Sequence, residues 1–580
     1  MRRETGRSVF GIRSRSALAV HVACLTWLAM ACAGALPADA QDAVPDAQAD
    51  RQQDLEIPLA TDLVLGEDKP EDDAEFWIYA ELSNRGGVVT RLQLNRYDNE
   101  DRNGPLILLQ EEVADFHSFR LTTGLEPKLA ETMWEVIENS PRKVVFRTQD
   151  RDGALEIEKR FSLKKNSPFI RLEVAIRNLS DVPQKAVSCS LSSGSGLPME
   201  NVESSGYFRN SLVAAADEDG KMSLTKSDSL DVGPGLRQQV VNSPVRFWGV
   251  DCQFFASVII PRPGNAAQRI RVVESVADPH PDLLWNNIRV TATTASFDLQ
   301  PGGEVVHEYL LFNGPKDYPL LDEHEEYDLR LLAEEGTFLF IPMKHIARPI
   351  DGVLRLVGSI IGDYGLALIL TTVLIRISML SLSKRQRRSA ALMKFLQPKI
   401  KQLKEQYGKD NAGFSQAQVE LFRKYNCKPL TGCLFGIVTG LLFIGVWRGL
   451  LGSFSLRQAE LLWGITWIHD LSAPDRLMNL GQQVFLLGSH LNLLPFVALV
   501  LMFAGYRTDP SVDQTEKKKR FWGPVLFFLL CYTMPAASWL CFLTFIAGAR
   551  VEQMIFPVLE FQDLEADETA TAVEDEIFED

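Results

Sequence analysis

The chain has 580 residues, 46% of them apolar, and a formal net charge of −15. That length accommodates several domains, and the acidic balance argues against a general nucleic-acid binder. The apolar residues are unevenly spread, with long runs towards the C-terminus and a polar, strand-like middle, so local charge says more than the sum.

Met1–Arg15 carries five arginines and one acid, and Ser16–Leu36 follows without a charge. Residues 1–40 therefore read as a signal peptide or a signal anchor. Ala38-Asp39-Ala40 suits a cleavage site, whereas a run of about 20 apolar residues is long enough to span a bilayer. The balance favours an uncleaved anchor, and either reading exports the segment after it. Residues 41–74, rich in Asp, Ala, Gln and Pro, form a flexible linker.

Residues 75–340 carry β signals. Phe169–Arg177 alternates strictly, with Ile170, Leu172, Val174 and Ile176 on one face. Leu155–Leu163 and Val305–Phe312 are similar, and turn sequences such as Asn84-Arg85-Gly86-Gly87 and Pro301-Gly302-Gly303 recur. The expected architecture is an antiparallel β-sandwich. Cys189 and Cys252 are its cysteines, open to reading as a disulfide or as two buried thiols. The run Asp322-Glu323-His324-Glu325-Glu326 can be read as a metal site, but a contiguous run of this kind suits a solvated linker better.

Residues 341–364 include the amphipathic stretch Met343–Gly362, expected at a membrane–water interface. Gly365–Leu382 is apolar except for Arg376, and the basic block Lys384-Arg385-Gln386-Arg387-Arg388 comes directly after it. This reads as a transmembrane helix whose end is held inside by its positive charges. On a straight helix Arg376 lies about 12 Å from Lys384 at 1.5 Å per residue. A central Arg costs about 2.5–3.5 kcal/mol to insert, so it faces protein or a wet cavity unless it reaches the interface.

Residues 384–428 hold twelve Lys or Arg against three acids. Helical apolar spacing over Ser389–Tyr407 and Phe414–Tyr425, broken at Lys409–Gly413, predicts a cytoplasmic helical hairpin, with Pro398 bending its first arm. Further spans are expected over 429–447, 491–506, 521–534 and 537–556, with Gly449–Gly488 outside and a basic loop at Arg507–Arg520. Residues 558–580 hold ten acids and no base, a solvated disordered tail.

Several stretches together resemble the YidC family of membrane protein insertases, which is related to the mitochondrial oxidase-assembly insertases. They are Leu456-Arg457-Gln458-Ala459, Trp467-Ile468-His469-Asp470-Leu471-Ser472-Ala473, Lys428-Pro429-Leu430-Thr431-Gly432-Cys433, Leu396-Gln397-Pro398-Lys399-Ile400 and Leu491-Asn492-Leu493-Leu494-Pro495. Asn84-Arg85-Gly86-Gly87, Trp248–Pro261 and Gly314-Pro315 resemble the Gram-negative type. The turn Met534-Pro535-Ala536-Ala537 and the pair Leu380-Ser381 depart from the family pattern.

The resemblance implies an α+β membrane protein. Its parts are an N-terminal anchor, a periplasmic antiparallel β-sandwich, and a five-helix transmembrane core over 365–557 with a cytoplasmic helical hairpin. It implies a multi-pass inner-membrane location and a hydrophilic groove carrying Arg376, with Thr371, Thr372, Thr439, Thr533, Thr544 and Phe542 as candidate lining. It places Gln397, Pro398 and Lys399 on the hairpin that receives substrate. Nascent membrane proteins, the Sec translocon and membrane lipid are the implied partners. A ribosome would meet the basic hairpin, since an acidic tail is repelled by RNA. No cofactor and no enzymatic step are implied; no nucleotide-binding GxxxxGK[ST], HExxH or GxSxG is present. The rival readings are a membrane-anchored glycan-binding or glycan-processing sandwich and a small-molecule transporter.

Overall fold

Strand Phe169–Asn178 buries Ile170, Leu172, Val174 and Ile176, the face its alternation predicts. The structure, a computed structural model, describes residues 57–555 apart from short internal stretches, the longest being 111–116, 201–207, 229–236, 263–269, 279–286 and 508–513. The expected anchor, the expected linker up to residue 56 and the acidic tail lie outside the described residues; the rest of the expected linker belongs to the β-rich part, since Val64–Leu65 pairs with Ala80 and Glu81 and Leu63 and Leu65 are buried in the core.

The β-rich part is built on a nine-stranded antiparallel sheet. Its order is Met222–Asp228, Asn210–Ala216, Val245–Asp251, Phe255–Pro261, Glu304–Pro315, Phe169–Asn178, Leu155–Leu163, Lys143–Gln149, Glu135–Ser140. A five-stranded and a four-stranded antiparallel sheet contribute to the same core as its inner face, packing around Trp134, Phe161, Trp248, Tyr309 and Phe255. Where alternation stops, as in the fully buried Phe255–Pro261, the outer face is covered too. Leu321, Leu329 and Leu332, from helix α1 (Tyr318–Asp322) and the turns after it, close over Phe247, Val258 and Phe312. Farther along the sheet the outer face is wet. There Arg147, Glu158, Arg160, Glu173, Arg171 and Glu308 form a cross-strand ladder of ion pairs, each worth about 0.2–1 kcal/mol.

The Asp322–Glu326 run is a structured turn. Asp322 pairs with Arg330 and Arg348, Glu325 with Arg330, and His324 sits edge-on to Phe169 at 4.8 Å. Cys189 and Cys252 are unpaired, buried thiols, and burial pushes them up to about 12 and about 11.

Lys159 is fully buried because the register of Leu155–Leu163 turns it inward between Ile157 and Phe161. Its ammonium donates to the carbonyls of Gly87 and Phe119 and lies 5.2 Å from the Phe161 ring centre. Gly87 belongs to the Asn84–Gly87 turn. A Cβ on Gly86, at φ +77°, would meet the Ala130 carbonyl oxygen at 2.5 Å, so glycine is required there.

The helical part begins with α2 (Lys344–Ile361). One stripe, Ala347, Leu354 and Gly358, is buried; another, Val353, Leu356 and Ile360, is exposed. Then come α3 (Tyr364–Ser378), α4 (Leu380–Tyr407), α5 (Asn411–Lys424), α6 (Pro429–Gly452), α7 (Leu494–Arg507), α8 (Gln514–Cys531) and α9 (Ala536–Ile555).

Three expectations need correction. The apolar run from Gly365 does not continue straight to Leu382: α3 ends at Ser378, and the start of α4 is bent 57° from it. Apolar composition marks where residues are greasy, not where the axis turns. The basic stretch from Gln514 to Arg520 is helix rather than loop, since Lys and Arg are good helix formers. A hairpin of strands Met478–Val484 and Gly488–Leu491 precedes α7, which starts three residues later than expected. Pro398 lies inside α4, which continues to Tyr407. Among the described residues no single helix is long and apolar enough to cross a membrane; Tyr364–Ser378 with Leu380–Arg387 passes as a bent pair.

Burial depresses the Lys159 ammonium to about 7 from 10.5. Between those values the unfolded chain binds the proton and the folded chain does not, so stability rises with pH across that window and falls as pH drops towards 7. The slope is at most about 1.4 kcal/mol per pH unit. Lys159→Met in the full chain should flatten it and raise stability at neutral pH, as followed by thermal unfolding. An unchanged slope would contradict the burial argument.

Candidate functional site

Three helices of the core begin at one end, and a single loop organises all three starts. A helix N-terminus leaves amides without partners, and buried ones must be satisfied. Asp363 caps α3, accepting from the Leu366 amide at 2.7 Å through one oxygen and from the Trp463 amide at 2.6 Å through the other. Asp475 caps α7, accepting from the Leu493 and Leu494 amides at 2.6 and 3.2 Å and from the Trp467 indole at 3.2 Å. The first amides of α9 donate to loop carbonyls, Ala536 to Ala473 and Ala537 to Leu471. Asp351 of α2 accepts from Ser453 at 2.6 Å and from Arg355 at 2.6 Å. All three aspartates are almost fully buried.

The same loop docks the β-rich part. Phe454 enters a cage of Tyr97, Phe254 and Phe255, with ring centres 5.6–6.5 Å away. Arg457 donates from Nε to both Glu200 oxygens at 2.8 Å. Arg102 reaches Glu460 at 2.9 Å and the His469 carbonyl at 2.8 Å, and Arg476 meets Glu100 at 2.6 Å. Burial raises the Glu200 and Glu100 carboxyls, against the pull of these arginines.

At the other end of the core lies the charge cluster. Arg376, in the last turn of α3, donates to Glu552 Oε2 at 3.0 Å, and Arg387 of α4 donates to Oε1 at 2.6 Å. The bend after Ser378 brings both arginines to one carboxylate. Glu552 is 3% exposed. The Arg376 guanidinium lies over the Phe545 ring at 4.3 Å, and its stem passes Gly548, where a Cβ would come within 3.2 Å of Cγ. Between the two ends an apolar cavity is lined by Ile375, Met379, Leu442, Phe443, Val446 and Phe545, with Thr372, Thr439 and Cys541 as its polar members.

Of the residues expected to line a groove, Thr372 and Thr439 line this cavity. Thr372 also back-bonds to the Leu368 carbonyl at 2.8 Å, whereas the buried Thr371 hydroxyl has no partner among the described residues. Phe542 lies beside the cavity in a cluster with Phe527, Trp539 and Phe443. Thr533 sits in the turn before α9 and Thr544 within it; neither lines the cavity. On the hairpin, Gln397 and Pro398 are exposed, and Lys399 bonds the Tyr425 hydroxyl between the rings of Phe395 and Tyr425. The lone charge expected at Arg376 is thus one of three. Sequence reasoning passed over Glu552, although an acid inside an apolar helix is itself a signal.

A family model described as the YidC periplasmic domain matches residues 77–349, and one described as the 60Kd inner membrane protein matches 356–557. The chain belongs to the YidC family. A membrane protein insertase YidC of Oleidesulfovibrio alaskensis is 25% identical over 79% of this chain and 80% of its own length. Another, of Aliivibrio salmonicida, is 27% identical over 83% and 84%. A solved structure described as an active YidC insertase with its first transmembrane domain resolved is 16% identical at a TM-score of 0.31, over 83% of this chain and 91% of that one. YidC membership makes this an inner-membrane protein with a periplasmic β-rich part.

Asp475→Ala should cost about 0.5–2 kcal/mol, the usual loss of an N-cap, and speed hydrogen exchange at Leu493 and Leu494. Asp475→Asn, which keeps an acceptor, should retain most of the protection.

Proposed function

We propose that the chain inserts membrane proteins into the inner membrane; its relatives are named membrane protein insertases. The observation that carries the reading to particular residues is the meeting of Arg376 and Arg387 at the inner end of an apolar cavity. Two guanidiniums share one carboxylate there among the described residues, and a second carboxylate brought by a substrate would suit that pair.

In this reading α3, α6, α7, α8 and α9 span the bilayer and α2 lies at its outer surface, its exposed stripe of Val353, Leu356 and Ile360 against lipid. The α4–α5 hairpin lies in the cytoplasm and meets the nascent chain; the β-rich part is in the periplasm, where the Sec translocon is a candidate partner. A ribosome would face the basic hairpin.

A hydrophobic segment with an acidic leading end approaches from the cytoplasm. Its carboxylate is drawn to Arg376. A unit pair at about 4 Å is worth roughly 4 kcal/mol at an effective dielectric near 20, before desolvation, comparable to the cost of one Asp at mid-membrane. The cavity receives apolar side chains, and burial in lipid completes transfer without a nucleotide. Relatives described as insertases favour this over the glycan-processing and transport readings.

Arg376→Ala should lower insertion of acidic-ended substrates several-fold in a depletion–complementation assay, whereas Arg376→Lys should keep most of it. Equal insertion by the alanine variant would remove Arg376 from the mechanism.

A further inference from the structure

The proposed reading asks Arg376 to attract a carboxylate, yet in the folded chain it already holds one. Glu552 lies in the last turn of α9, its carboxylate shared between Arg376 at 3.0 Å and Arg387 at 2.6 Å. Its side chain is 2% exposed, those of the arginines 14% and 18%. The place is shaped for this contact. Gly548, one turn earlier on α9, leaves room for the Arg376 stem, and Phe545 one turn before that supplies the face on which the guanidinium rests. Arg376 Nε is buried without a hydrogen-bond partner among the described residues, so its donor capacity is not exhausted by Glu552.

We propose that Glu552 is an internal stand-in for the substrate carboxylate, a displaceable counter-ion that tempers the hold of the two arginines on acidic segments and drives their release. The inference rests on the insertase reading and deepens it. With both arginines bare, two desolvated positive charges would face each other, and an incoming carboxylate that paired with them would be slow to leave. With Glu552 in place, binding exchanges one ion pair for another. Acidic segments complete the exchange, neutral ones do not, and the return of Glu552 expels the passenger. The two guanidiniums supply the attraction, and Glu552 supplies the reversibility.

The test uses the full-length chain in dodecyl maltoside, a detergent without phosphate, so that no lipid anion competes. The probes are two fluorescent apolar peptides, one ending in two Asp and its counterpart ending in two Asn. Glu552→Gln should bind the Asp peptide several-fold more tightly and release it several-fold more slowly than the parent chain, with the Asn peptide unchanged. Glu552→Asp should behave like the parent. Arg387→Gln removes one of the two guanidiniums that face Glu552, so preference for the Asp peptide should fall towards unity; this variant keeps the test sharp if Glu552→Gln folds poorly. Unchanged affinity and release in Glu552→Gln, or full Asp preference in Arg387→Gln, would overturn the counter-ion role. The same proteins in vesicles, assayed for insertion of a single-span substrate, separate the two claims. No insertion above protein-free vesicles alongside the expected peptide binding defeats the insertase reading alone. Insertion by the parent without any effect of Glu552→Gln on peptide binding defeats the counter-ion alone.

Discussion

A carboxylate removed from water is tolerated only where donors surround it, and the core depends on that constraint at both ends. At one end Asp351, Asp363 and Asp475 hold the Ser453–Asp475 loop against α2, α3 and α7. Because Asp363 and Asp475 take backbone amides at the starts of α3 and α7, they also fix where those helices begin. The aggregate positive partial charge of converging N-termini suits them. The loop is therefore a plug made by capping rather than by apolar packing alone, although Leu456, Leu461, Ile468 and Leu471 pack beneath it.

The other end uses the opposite arrangement, one carboxylate among guanidiniums. Arg376 sits at the C-terminus of α3, where the helix favours positive charge, and the bend after Ser378 folds the basic block back towards it. Buried aspartates on amides at one end, a carboxylate shared by two arginines at the other and an apolar cavity between them make the two ends of the core chemically unlike. The β-rich part is tied to the capped end through Phe454, Arg457 and Arg476.

Much of this was legible from residue order. Alternation in Phe169–Arg177 gave its buried face, and apolar runs located α3, α6, α7, α8 and α9 to within a few residues, except for the early start of α8. What escaped was non-local or geometric. Glu552 lies 176 positions from Arg376, and no period links them. The bend at Met379 leaves no trace in composition. The strands at Met478–Leu491 carry Gly481 and Gly488 and lack a run of β-branched residues. Lys159 was readable: in Leu155–Leu163 it shares parity with Leu155, Ile157, Phe161 and Leu163, which puts an ammonium in the core.

The early end of α3 has a further consequence. A helix of 15 residues is roughly 22 Å long at 1.5 Å per residue, well short of a hydrocarbon layer about 30 Å thick. For a chain that spans as proposed, the surrounding lipid must pinch inward to meet it, at fractions of a kcal/mol per ångström of mismatch. The dent in the bilayer would itself shorten the distance over which any passenger is deprived of water.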